Sequence, residues 1–220
     1  MRAVFHEEEA MNTTNTCIIF DMDGTLWDAS DNIAAAYNAL LHEQRGWDGY
    51  CTGDDLRAVA GMEIAEIARA LFPQLSEQEG LALTMSCMSY ENEYLSRHGG
   101  VLYPDVEEVL AQLSARHPLM IVTNAADGYV DAMFSAHHLG KYFVDHETHG
   151  RTGLSKGENI SLIMSRNGIQ DAWYVGDTLK DQLACEAAGI PFVYAAYGFG
   201  EAQRWQARIS CFRDLLMLFD

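Results

Sequence analysis

The feature that most constrains this chain is the run Cys17-Ile18-Ile19-Phe20, which delivers Asp21-Met22-Asp23-Gly24-Thr25. An apolar run this short, bounded by turn formers, reads as a buried strand and not as a helix. Two carboxylates therefore fall where a strand gives way to a loop, the place where open α/β sheets bind their ligands. Acids so placed can hold a divalent cation, or divide nucleophilic and acid–base work between them. A polar turn with no chemistry is the plain alternative, and residues further along decide between the two.

After Asp28 the pattern turns helical. Ile33, Ala36, Tyr37, Leu40 and Leu41 recur at helical spacing, with Ser30 or Asp31 as cap and breaks at Gly46 and Gly49. A second helix is expected from Asp54 to Phe72, stopped by Pro73, and a third from about Ser76 to Arg97. Gly99-Gly100 closes this all-helical block as a hinge-like break. From Val101 on, helices and strands alternate: helix 105–116, strand 119–122, helix 129–138, strand 142–144, helix 157–167, strand 173–175, helix 179–188 and strand 192–195. Such alternation implies a parallel sheet covered on both faces. The expected fold is α/β, a Rossmann-like doubly wound parallel sheet. Its core takes residues 16–29 and 100–220, a helical block over 30–99 interrupts it, and residues 1–15 form a flexible extension in which Met11 offers an alternative start.

Three strand ends in this alternation carry polar residues: Asp21 and Asp23, then Thr123-Asn124, then Gly176-Asp177 with Asp181 one helical turn on. A parallel sheet brings these ends to one edge although they are some 150 positions apart in sequence. Lys156, one of three lysines with Lys141 and Lys180, precedes a helical stretch and is the cation expected to offset these acids. The wider charge is strongly negative: 14 basic against 32 acidic residues, a formal −18. Such a surface repels nucleic acid and anionic membranes. An anionic substrate would need a local cation or metal to dock. No segment approaches the roughly 20 apolar residues that span a bilayer, and Met1–Thr16 has no basic and apolar signal pattern. The cysteines (17, 51, 87, 185, 211) never approach metal or redox spacing, so reduced and mostly buried thiols in a cytoplasmic protein are expected.

In motif, order and spacing, Asp21-Met22-Asp23-Gly24-Thr25, Thr123-Asn124, Lys156 and Gly176-Asp177-x-x-x-Asp181 resemble the haloacid dehalogenase (HAD)-like hydrolases. The helical block resembles their cap domain. Ala187-Ala188-Gly189-Ile190-Pro191 and Tyr197-Gly198-Phe199-Gly200 are similar to the phosphoglycolate phosphatase branch, although Gly157 follows Lys156 where that branch usually has proline.

The resemblance implies a phosphatase acting on a small phosphorylated metabolite, phosphoglycolate being the nearest. Asp21 would be the nucleophile that forms an aspartyl-phosphate, and Asp23 the acid and then the base. Magnesium would rest on Asp21, the Asp23 carbonyl and Asp177, with Asp181 holding a metal-bound water or orienting Lys156. Gly24, Thr25, Thr123, Asn124 and Lys156 would meet the phosphoryl group. In the helical block, Gly61 would permit close approach, and Arg57 would either pair with a substrate carboxylate or be a surface arginine on a helix. An acid at position 23 points within the family to phosphatase or phosphomutase chemistry. A phosphomutase or a pyrophosphatase of the same fold are the nearer alternatives. A non-catalytic binding protein is the remote one, since it would be expected to lose an acid or the lysine. The chain is expected to act as a monomer or homodimer. His146 and His149, three apart in an expected loop, read as no metal site, and Met62, Met85 and Met88 read as packing residues.

Overall fold

The computed structural model describes Val4–Phe5 and residues 16–219. The expected extension over residues 1–15 otherwise lies outside the described residues, and Val4–Phe5 is a strand, β1. Cys17–Phe20 forms β2, wholly buried, and Trp27–Asp28 forms β3. The helices α1 (Ser30–Arg45), α2 (Gly53–Val59), α3 (Ile64–Leu71) and α4 (Glu77–His98) follow. Strand β4 (Val101–Leu102) pairs antiparallel with β3, Trp27 opposite Leu102. The chain thus enters and leaves the helical block side by side.

The remainder is α5 (Val106–Ser114), β5 (Leu119–Thr123), α6 (Tyr129–His137), β6 (Asp145–Thr148), α7 (His149–Thr152), α8 (Lys156–Arg166), β7 (Ala172–Gly176), α9 (Leu179–Ala188), β8 (Phe192–Ala195), β9 (Ala207–Ile209) and α10 (Leu215–Leu218). Among the described residues the main sheet runs β1-β9-β8-β7-β2-β5-β6, parallel except for β1 at its edge. Side chains alternate across it. Ile18, Phe20, Ile121, Val175 and Val193 enter one apolar cluster, while Ile19, Met120, Val122, Tyr174 and Phe192 enter the other. Burial on both faces explains why these strands read as continuous apolar runs. The doubly wound α/β fold is the one expected from the sequence.

Local chemistry explains the differences in detail. The helix expected over 54–72 is two helices, because Gly61 at φ +72 breaks it and Glu63 starts α3 with a reciprocal cap to Glu66. Thr52 and Ser76 cap α2 and α4 in the same way. The strand expected at 142–144 lies at Asp145–Thr148, after a 3₁₀ turn over Leu139–Tyr142. His146 is therefore in a strand and not in a loop, with its ring near Asp131 and Arg151, while His149 opens α7 and bonds the Leu154 carbonyl. All five cysteines are free, and only Cys211 is exposed. No helix among the described residues is long and apolar enough to cross a membrane.

Candidate active site

Strands β7, β2 and β5 are neighbours, so their carboxyl ends deliver Asp177, Asp21 and Thr123 to one edge. The Asp21 amide still bonds the Val175 carbonyl at 2.9 Å, which fixes Asp21 to the sheet. The loop then turns sharply: the Met22 carbonyl accepts from the Thr25 and Leu26 amides at 3.1 and 2.8 Å. Gly24 sits there at φ +75, and a Cβ on it would lie 2.2 Å from Asp177 Oδ2. Only glycine lets the two acidic motifs approach so closely.

Lys156 is the first residue of α8, whose cap is the reciprocal pair Ser155 and Glu158. Its ammonium lies 2.6 Å from Asp181 Oδ1 and 3.1 Å from Asp21 Oδ1, and all three side chains are buried. Burial alone would lower the Lys156 pKa, but Asp181 and Asp21 outweigh it and hold the ammonium charged. Asp181 is spent on structure. Its Oδ2 accepts from the Thr178 amide and hydroxyl in the α9 cap, and its Oδ1 takes Lys156. Of the two roles expected for Asp181, its contacts are those of the residue that orients Lys156. Lys180 is elsewhere, paired with Glu66 across to α3.

Asp177 is held from the loop after β8. The Phe199 and Gly200 amides donate to its Oδ2 at 2.7 and 3.2 Å, leaving Oδ1 free. A Cβ at Gly198 would lie 2.3 Å from the Asp177 Cβ. The glycines in Tyr197-Gly198-Phe199-Gly200 are thus the sequence signal for a cradle around Asp177. Burial and Asp181 push the Asp177 carboxyl up to about 7 against those amides. Burial also raises Asp21, opposed by Lys156 and reinforced by Asp181, Asp177 and Asp23.

Asp21, Asp177 and Asp181 offer carboxylate oxygens that all lie within 4.8 Å of one another. Asp177 Oδ1 is buried without a hydrogen-bond partner, and Asp21 Oδ1 has only the Lys156 ammonium beside it. Hard carboxylate oxygens pressed together in this way, one of them unpaired, fit a magnesium-sized divalent cation, which would neutralise them. The Asp23 side chain is outside that cluster. It turns to the cavity, where the Tyr129 hydroxyl donates to it at 2.7 Å. Burial lifts the Asp23 carboxyl to about 6, with Tyr129 holding it down.

A cavity between the sheet edge and the helical block is lined by Asp21, Asp23, Thr123 and Asn124 below, and by Gly61, Met62, Met88 and Glu91 above. Asn124, expected at the phosphoryl group, donates its amide to the Gly61 carbonyl at 2.9 Å and ties the core to the α2–α3 loop. Gly24 and Thr25 do not line the cavity, and Thr25 is fully buried. Arg57 requires a correction. Its guanidinium is taken by Asp28, Asp54 and Asp31 at 2.8, 2.7 and 3.1 Å, and it does not line the cavity either. Asp28 immediately precedes the helical block and captures the arginine before any substrate can. Arg57→Ala is therefore expected to cost about 1 kcal/mol of stability, a typical figure for a partly exposed ion-pair network. The KM for a carboxylate-bearing ester should move less than about two-fold, because a single desolvated charge contact would be worth far more; steady-state kinetics and thermal melts check both.

Glu91, on α4, is the site residue that the sequence reading missed. It is 5% exposed, and the Tyr37 hydroxyl hydrogen-bonds to its carboxyl. Burial pushes it up to about 8, opposed by Tyr37 and aided by Asp23; Tyr129 and Cys87 are its other titratable neighbours. The folded chain keeps this proton, whereas the unfolded chain releases it near the ordinary value of 4.5. The stability it contributes is whole below 4.5 and is lost as pH climbs through about 8. At roughly 1.4 kcal/mol per pH unit, Glu91→Gln should gain about 2 kcal/mol on wild type between pH 6 and 7.5. Denaturant titrations at the two pH values, without divalent cation, measure it.

Comparison with known proteins agrees with this geometry. Residues 18–195 match the family model described as haloacid dehalogenase-like hydrolase. The phosphoglycolate phosphatase of Shigella boydii is 27% identical over 210 residues, covering 84% of this chain and 83% of that protein. That of Salmonella typhimurium is 28% identical with the same coverage. Among solved structures, a predicted phosphoglycolate phosphatase from Haemophilus somnus superposes with a TM-score of 0.80 at 21% identity, over 96% of this chain and all of that one. A haloacid dehalogenase-like hydrolase from Streptococcus pneumoniae gives 0.76 at 22% identity, over 96% of this chain and all of the other. The ordered acids, the lysine and the fold have one reading in common: the chain belongs to the haloacid dehalogenase-like hydrolases, in the branch that resembles phosphoglycolate phosphatases.

Proposed function

We propose that this hydrolase, a phosphatase by kinship, is a magnesium-dependent enzyme that cleaves a small phosphate monoester through an aspartyl-phosphate on Asp21 and works in the cytoplasm. The single observation that carries the reading is Asp21 at the floor of the cavity, anchored to the sheet, paired with Lys156 and flanked by Asp23.

The Asp21 carboxylate attacks phosphorus while the bond to the leaving oxygen breaks. Asp23 gives that oxygen its proton, and a pKa lifted to about 6 suits a group that must hold a proton and then release it near neutrality. Water then attacks the phosphorus of the acyl phosphate, Asp23 takes the water's proton, and phosphate departs as the Asp21 carboxylate is restored. Tyr129 keeps Asp23 turned toward the cavity through both steps. Lys156, fixed by Asp181, offsets negative charge beside Asp21, and Thr123 and Asn124, which line the cavity with Asp21, would receive phosphoryl oxygens. A magnesium ion on Asp21 and Asp177 would supply charge neutralisation for the phosphoryl group. The helical block over 30–99 acts as a cap that excludes water and admits the substrate. Its ties to the core at Asn124–Gly61 and Lys180–Glu66 support that role.

The test is phosphate release from a panel of monoesters, with hexose phosphates and pyrophosphate included, with and without magnesium. Release from monoesters that requires the ion is expected. Hexose phosphate isomerisation in preference to hydrolysis would make the enzyme a mutase, and exclusive action on pyrophosphate would make it a pyrophosphatase. No turnover of anything would overturn the reading.

A further inference from the structure

The upper wall of the cavity says what the leaving group must look like. Among its lining residues there is no arginine, lysine or histidine. Lys156, the buried cation of the site, is committed to Asp21 and Asp181, and Arg57 to its three acids. Met62, Met88, Ile33 and Ile67 give that wall an apolar surface, which is interrupted by Glu91. Glu91 Oε2 is buried and has no hydrogen-bond partner, with the Tyr37 hydroxyl beside the carboxyl.

A buried polar atom left unpaired costs about 1–3 kcal/mol, so its persistence in a cavity wall marks it as a partner held for something absent. A carboxylate is the wrong something: no arginine, lysine or histidine lines this wall to receive it, and the Asp21 carboxylate stands across the same desolvated space. A hydroxyl or an ammonium fits, since either donates to an orphaned carboxyl oxygen.

Resting on the phosphatase reading above, we propose that Glu91 selects the leaving group: the favoured esters carry a hydrogen-bond donor, hydroxyl or ammonium, on a short carbon chain whose methylenes lie against Met62 and Met88, and esters with a carboxylate in that place are disfavoured. The donor is captured by Glu91 as the phosphoryl group meets Asp21 and Thr123 at the opposite end. This departs from the substrate that names the relatives of this chain. Among the described residues, those lining the cavity include no cation to receive its carboxylate.

The experiment compares kcat/KM, with magnesium, for 2-hydroxyethyl phosphate, phosphoethanolamine, ethyl phosphate and phosphoglycolate, and for the three-carbon counterparts glycerol 3-phosphate, 3-aminopropyl phosphate and propyl phosphate. Wild-type enzyme should prefer the hydroxyl or ammonium ester of the fitting length at least about 10-fold over both the alkyl ester and phosphoglycolate, because sites built to pair a polar group reject analogues that lack it. Preference for the ammonium arm identifies an ionised Glu91, and equal use of both arms a shared donor contact. In Glu91→Met and Glu91→Leu, near in size and apolar like their surroundings, that ratio should collapse toward one. Phosphoglycolate as the best ester, or a donor preference unchanged in both variants, overturns the proposal while leaving the phosphatase intact. If neither variant folds, the wild-type comparison alone still decides. No hydrolysis of any ester overturns the phosphatase reading itself.

Discussion

Asp21→Asn is expected to lose magnesium-dependent phosphate release by about 10⁴-fold or more while the protein stays folded. The amide is nearly isosteric and keeps the backbone bond to Val175, but it has no charged oxygen to form the acyl phosphate. Loss of a catalytic nucleophile is among the largest single effects an enzyme shows. Stability should move the other way. Asp21 is buried among Asp181, Asp177 and Asp23, and burial with those neighbours raises its proton affinity against the pull of Lys156. Removing a desolvated like charge relieves that repulsion, and Lys156 keeps Asp181 at 2.6 Å. The melting temperature of Asp21→Asn should therefore equal or exceed that of wild type at pH 7. Lys156 is the poorer target, since its removal strands two buried carboxylates and costs about 3–5 kcal/mol, so loss of fold and loss of chemistry would be confused. Parallel phosphate-release assays and thermal melts of Asp21→Asn make the distinction. An inactive variant that is also unfolded would say nothing of the nucleophile, and an active one would remove Asp21 from the mechanism.

The lower half of this site was legible because it is written in short patterns that topology brings together. Asp21, Thr123 and Asp177 each end an apolar strand, and β7, β2 and β5 are adjacent and parallel. The upper half was not, because nothing local distinguishes its residues. Glu91 lies in a helix that also carries Glu77, Glu79 and Glu93, and only tertiary packing buries one of the four while leaving the others exposed. Tyr129 bonds Asp23 across 106 positions and reads in sequence as an aromatic on a helix face. Arg57 suggested a substrate contact by type, and its real partners are acids contributed by three different segments. The displaced strand β6 has a similar cause. Tyr142-Phe143-Val144 carries the strand-forming residues, yet the polar stretch from Asp145 takes the edge position, where Arg166 on α8 pairs with both Asp145 and Glu147.

Gly24→Ala is expected to destabilise the protein by about 2–5 kcal/mol and to weaken its response to magnesium together. At φ +75 an alanine pays roughly 1–2 kcal/mol in backbone strain alone. Its Cβ would also stand 2.2 Å from Asp177 Oδ2, with the Asp177 Cγ at 2.6 Å. That carboxylate cannot simply retreat. Gly198 also packs so closely that a Cβ there would meet the Asp177 Cβ at 2.3 Å, and the same Oδ2 accepts the Phe199 and Gly200 amides. Moving it weakens two amide hydrogen bonds, each worth about 0.5–1.5 kcal/mol net. For a chain of this size the sum is a fall of roughly 10 °C in melting temperature. The functional effect follows from the same displacement. Asp177 Oδ1 is the unpaired oxygen suited to the cation, and a shift of the side chain moves it out of reach of Asp21. The magnesium concentration for half-maximal phosphate release should therefore rise about ten-fold or more, a loss typical when the support of a metal ligand is removed. Gly46→Ala is the matched control, at φ +67 with nothing within 4 Å of the added carbon. It should show the strain penalty without the change in magnesium dependence. If the two variants shift that dependence equally, the close approach of Gly24 to Asp177 is not what sets the metal-binding geometry.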